Sequence, residues 1–134
     1  MPDPDGLVTA TSKHPPKETA DRLAKAAEAR GMTVLARIDH AAAAKHAGLE
    51  LRPTEVLMFG NPKGGTPLMQ ATQTIGIDLP LKALVWEDDH QVTRLSYNDP
   101  HWLAARHGIS GNETVLAAMA SALSLVAKEA TDGS

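Results

Sequence analysis

The sequence predicts an α+β domain, with helices packed against a mostly antiparallel sheet. Three observations predict it. Leu81–Glu87 and Gln91–Tyr97 flank the short turn Asp88-Asp89-His90 and read as a hairpin. The stretches from Pro16 and from about Asn112 carry apolar residues at helical spacing. Strand-like and helix-like segments follow one another as β-α-β-α-β-α-β-β-α-α, and 134 residues suit a single domain with its core over 6–129.

Residues 1–5 are expected to fray, and Gly6–Ser12 is short and β-branched enough for a first strand. Lys13-His14-Pro15-Pro16 stops it, and Pro16 suits the first position of a helix running to about Arg30. Ala20, Leu23, Ala24 and Ala27 mark its buried face. Glu18 with Arg22 and Asp21 with Lys25 are expected as i,i+4 pairs on its outer face. Thr33–Ile38 reads as a second strand, with Val34, Ala36 and Ile38 on one face and Leu35 and Arg37 on the other. Asp39 is placed to cap a short helix from His40 to Ala47, closed by Gly48, and 49–53 is a linker.

Thr54–Gln70 is the most informative stretch. Glu55–Phe59 is an apolar run of strand length, followed by the glycine-rich turn Gly60-Asn61-Pro62-Lys63-Gly64-Gly65. Thr66 and Pro67 then read as the N-cap and first residue of a helix ending near Ile75, with Gly76 as its stop. Leu81–Glu87 is apolar on both faces, which predicts a central strand. Asp99 and Pro100 start a helix that reaches His107. The final helix runs to about Glu129, with Val115, Met119, Ala122 and Val126 as its stripe, broadened by Leu116 and Leu123, before a polar tail from Ala130.

Composition bounds the function. With no cysteine, disulfides, thiol catalysis and zinc–thiolate sites are excluded. A net charge of −3 with no basic stripe, and aromatics at only 3%, argue against nucleic acid as a partner. The N-terminus lacks the apolar core of a signal peptide, and the apolar run Val115–Ala127 is shorter than a membrane span, so the expected location is the cytoplasm, away from membranes.

Two places could carry chemistry. The turn keeps the Gly-x4-Gly-x spacing of a phosphate loop, but the lysine that must reach the β- and γ-phosphates is missing between Gly65 and Thr66, and Lys63 lies inside the turn. Triphosphate chemistry is therefore excluded. That leaves a ligand site of Gly60, Asn61, Lys63, Gly64, Gly65 and Thr66, whose amides and lysine suit a carboxylate or a single phosphate. Asp39-His40 is the second place. His40 could stand beside the turn as a further ligand group, or serve as the general acid/base of an enzyme that uses the turn as its anion hole. The plainer alternatives are a sharp strand-to-helix turn and a capped helix. His14, His46, His90, His101 and His107 show no metal spacing and read as surface residues. No catalytic constellation, metal site or cofactor signature is present in the sequence.

The segments Ala36–Ala42, Leu51–Met69, Asp78–Lys82 and Leu95–Pro100 resemble the domain-of-unknown-function family 302, over roughly Gly6–Glu129. The resemblance implies a compact bacterial α+β domain, often a homodimer, without an assigned activity. The reading is thus a homodimeric binding or assembly module that takes a small polar or anionic ligand at 60–66.

Overall fold

The computed structural model describes residues 5–132. Five strands, β1 (Leu7–Thr11), β2 (Thr33–Asp39), β3 (Thr54–Gly60), β4 (Leu81–Glu87) and β5 (Thr93–Asn98), form one antiparallel sheet in the order β1-β5-β4-β3-β2. The helices are α1 (Pro16–Ala29), α2 (His40–His46), α3 (Pro62–Ala71), α4 (Pro100–Arg106) and α5 (Glu113–Thr131), with a 3-10 helix at Gln73–Asp78. The expected α+β class and the hairpin are both present; Glu87 pairs with Thr93 and Ala83 with Tyr97. β4 is the middle strand, as its two apolar faces require.

The core lies on one side of the sheet. Leu57, Phe59, Ala83, Val85 and Leu95 share a face and are buried with Leu23 and Ala27 of α1 and Leu116, Leu123 and Val126 of α5. With so few aromatics, these aliphatic side chains and small alanines let α1 and α5 approach each other closely. α5 is long and apolar enough to cross a membrane by length and composition, contrary to the sequence expectation, but its stripe is buried in this core. It also continues through Ala130 and Thr131, both buried, in place of the expected polar tail. Thr131 O accepts from Lys13 N at 2.8 Å, tying the end of α5 to the end of β1. The expected fraying of 1–4, and residues 133–134, lie outside the described residues.

Three local expectations are corrected. A bulge between Val34 and Ala36 in β2 exchanges the faces: Val34 pairs with Phe59 and Arg37 with Leu57 on the helix side, while Ala36 and Ile38 pair with Met58 and Val56 on the other. Leu35 sits at the bulge, 61% exposed. The i,i+4 pairs of α1 give way to other partners. Asp21 binds Arg37 at 3.0 Å, Arg22 Nη2 donates to Glu129 O, and Glu18 meets His14 at 2.6 Å. Finally, α3 begins at Pro62, well before Pro67, and the following 3-10 helix contains Gly76 where a stop was expected.

Candidate functional site

β3 delivers the chain to the glycine-rich segment, and Asn61 caps α3 there. Its Oδ1 accepts from Lys63 N at 2.9 Å, and its carbonyl accepts from Gly64 N at 2.9 Å and Gly65 N at 3.2 Å. Pro62 has no N–H to offer. The donors that a helix start would turn toward an anion are therefore used within the chain. Gly64, Gly65 and Thr66 lie inside α3, so Thr66 is not the cap and Pro67 is a helix-interior proline. Gly64 packs where a Cβ would lie 3.3 Å from Met119 Cε of α5, so the glycine serves close helix approach.

Asp39 behaves as expected: its side chain caps α2 by accepting from Ala42 N at 2.9 Å. His40, however, is exposed and lies beyond the opposite end of β3 from the turn. Asp39 pairs with Glu55 and Thr33 with Gly60, so the length of strand from Glu55 to Gly60, about 17 Å at ~3.3 Å per residue, separates the two places. His40, Asn61, Lys63 and Thr66 do not converge. An enzyme that uses His40 as acid/base over the 60–66 turn is ruled out by that distance.

The structure instead opens a cleft of about 820 Å³ on the Asp39 side. Its walls are α2 (Ala41, Ala42, Lys45), the linker (Leu49, Leu51, Arg52, Pro53), the start of β3 and the first turn of α1 (Pro16, Lys17). His40 does not line it. Glu55, at one wall, is held by Arg37, with Nε 2.8 Å from Oε2 and Nη2 3.3 Å from Oε1. The Glu55 contact, then Asp21, raise the already high pKa of the Arg37 guanidinium further. Asp39 is occupied by its cap. The cations are less committed: Lys17 is 3.9 Å from Asp21, Arg52 Nε donates to the Glu87 carbonyl at 3.3 Å, and Lys45 forms no ion pair among the described residues. Glu50 is the one lining carboxylate left uncommitted there. The cleft thus combines apolar walls with three cations that equal its three carboxylates in number but are less engaged within the chain than Asp39 and Glu55. Sequence reasoning passes over it because Lys17, Lys45 and Arg52 come from three separate segments with no shared motif.

Two further clusters hold titratable groups. His107, read from sequence as a surface residue, has a side chain only 8% exposed. Its Nε2 lies 2.6 Å from Asp78 Oδ2 and its Nδ1 2.9 Å from Thr74 Oγ1, while Arg106 binds Asp78 at 2.9 Å. This fastens the 3-10 helix to the end of α4. The donor atoms of Asp88, Asp89 and His90 lie within 4.8 Å of one another, the spacing a metal ion could bridge. Asp88 already accepts from Val92 N, His90 N and Arg94, in that order the causes that hold its carboxyl below the usual range, so the trio is accounted for as the hairpin turn.

Fold and site together define a helix-backed, single-sheet α+β domain with a cleft at the Asp39 end of the sheet. The family described as "Domain of unknown function DUF302" matches residues 8–126, and the chain belongs to that family. Relatives include a protein of Brucella suis biovar 1 (strain 1330) named "Fluoride-specific ion channel FluC 1", 48% identical over 126 residues, covering 93% of this chain and 50% of that one. Its counterparts in Brucella abortus biovar 1 (strain 9-941) and Brucella melitensis biotype 1 (strain ATCC 23456 / CCUG 17765 / NCTC 10094 / 16M) are 48% identical, with 47% of each covered. The chain spans about half the length of the curated relatives it matches. Among solved structures, the uncharacterized conserved protein DUF302 from Bacillus stearothermophilus superposes with a TM-score of 0.84 at 19% identity, over 93% of this chain and 98% of that one. That likeness is one of fold.

Proposed function

We propose that this domain is a self-associating binding module, acting in the cytoplasm, that takes a small anionic ligand with an apolar portion. The observation that carries the reading is the cleft beside α2, where Lys45 and Arg52 form no ion pair among the described residues while Glu55 is held by Arg37 and Asp39 caps α2. Its volume of about 820 Å³ falls within the range of small-molecule sites. The ligand class is the one expected from the sequence; its seat moves from the 60–66 turn, whose amides are occupied, to the other end of β3. For the Brucella relatives, the proposal assigns the channel named there to the part outside the match, and to this domain a binding role beside it.

Thermal-shift measurements with phosphate, benzoate and hexanoate test the reading. A saturable anion at about 100 times its Kd stabilises a protein by about 2.7 kcal/mol. The shift is expected in the wild type and in Lys63→Glu, and lost in Lys45→Glu/Arg52→Glu. No shift with any anion in the wild type overturns the binding reading. Loss in Lys63→Glu alone would return the site to the turn.

A further inference from the structure

Where the 3-10 helix meets the end of α4, three side chains stand in a row. Thr74 Oγ1 lies 2.9 Å from His107 Nδ1, and His107 Nε2 lies 2.6 Å from Asp78 Oδ2. Arg106 Nη1 donates to both Asp78 oxygens, at 3.0 and 2.9 Å, and fixes the plane of the carboxylate. The row also runs from surface to interior. Thr74 is exposed, whereas the side chains of His107 and Asp78 are only 8% and 16% exposed. The Arg106–Asp78 pair already fastens the two elements, so fastening alone leaves the outward hydroxyl on the buried ring unexplained.

We propose that Thr74, His107 and Asp78 form a nucleophilic site that hydrolyses small acyl esters, with Thr74 as the nucleophile. The proton positions follow from the partners. The Asp78 carboxylate can only accept, so the ring N–H sits on Nε2. A neutral ring then keeps a lone pair on Nδ1, and the Thr74 hydroxyl donates to it. A hydroxyl bonded to a base, with the base held by a third group, is the arrangement that activates a weak nucleophile. It is defined by these roles, not by chain order. The inference goes beyond the binding cleft, which none of these residues lines.

In the first step Thr74 Oγ1 bonds to the ester carbonyl carbon as its proton passes to His107 Nδ1. The bond from that carbon to the alcohol oxygen then breaks, and the alcohol leaves with the proton from Nδ1. Water next attacks the acyl carbon and gives a proton to Nδ1. The bond to Thr74 Oγ1 breaks, Oγ1 takes the proton back from Nδ1, and the carboxylic acid departs. The sum is ester plus water giving acid plus alcohol, with the chain unchanged. Thr74 and His107 are the catalytic residues; Asp78 and Arg106 position the ring. The neighbourhood suits a short apolar acyl group. Residues three apart lie on one side of a 3-10 helix, which sets Ile77, 76% exposed, beside Thr74.

Hydrolysis of p-nitrophenyl butyrate, followed by absorbance, tests the site together with peptide mapping of acid-quenched protein. The wild type is expected to show a kcat at least about 10²-fold above the first-order rate in buffer, the low end of what a positioned base supplies. A butyryl adduct should map to Thr74. Thr74→Val keeps the shape of an exposed residue; it should lose the adduct and at least about tenfold in kcat with unchanged circular dichroism, while Thr74→Ser should keep both. Asp78→Asn should lower kcat about tenfold with KM unchanged, at a temperature where circular dichroism shows it folded. His90→Ala, which removes an exposed histidine of the hairpin turn, should change nothing. A wild type no faster than buffer overturns the site. So does turnover that survives Thr74→Val, or an adduct found only on lysine or on another histidine.

Discussion

Replacing Asn61 by alanine tests where α3 begins, and with it the reason the 60–66 segment is not an anion cradle. In the structure Asn61 Oδ1 accepts from Lys63 N at 2.9 Å while the Asn61 backbone is extended, the geometry of an N-cap. Removing such a cap costs about 1 kcal/mol, within a range of about 0.5–2. Thr66 supplies the contrast. It lies in the second turn of α3 and makes no side-chain hydrogen bond among the described residues, so Thr66→Ala exchanges a β-branched residue for the best helix former. That change should be neutral or stabilising by up to about 0.5 kcal/mol. Thermal unfolding followed by tryptophan fluorescence, at one fixed protein concentration, separates the two. Asn61→Ala should lower Tm by roughly 3–5 °C for a domain of this size, and Thr66→Ala should not lower it. The reverse order, with Thr66→Ala costing about 1 kcal/mol and Asn61→Ala nothing, would place the helix start at Thr66, free the amides of Gly64 and Gly65, and refute the reasoning.

Two other outcomes follow from the packing. Gly6 has φ +81° and lies against the Trp102 ring, where a Cβ would fall; Gly6→Ala should cost about 2–4 kcal/mol, read as a lowered denaturation midpoint, and an unchanged midpoint would contradict the Gly6–Trp102 packing. Tyr97 is the chain's one tyrosine, and burial, then the Asp99 charge, push its phenol above the ordinary value. Because the folded pKa is the higher, stability should be level below about pH 10 and fall as pH rises from there through the folded pKa. Tyrosinate absorbance should appear later in the folded protein than in denaturant, and coincident titrations would refute the burial of the phenol.

How much of this is legible in the sequence varies by element. The hairpin, β4 at the centre, Pro16 opening α1 and Asp39 capping α2 are all readable, because each is set by local chemistry or by the period of the apolar residues. The start of α3 is ambiguous. Asn61-Pro62 and Thr66-Pro67 are both cap-then-proline signals, and two glycines between them argue locally against helix. Packing decides the matter, since Gly64 gives α3 its close approach to Met119. The bulge in β2 is invisible because alternation does not reveal one inserted residue, which is why simple alternation puts Arg37 on the wrong face. His107 and the cleft depend on residues from distant segments meeting in space, a fact no spacing rule contains.

That bulge has a consequence for how copies of the chain can meet. β2 is an edge strand, and a regular edge offers its free amides and carbonyls to any other strand that arrives, so that sheets can grow side by side without limit. The extra residue at Leu35 interrupts the ladder and twists this edge out of register with an incoming strand. Such a bulge discourages growth along this edge. One residue out of step thus guards the β2 edge against side-by-side pairing.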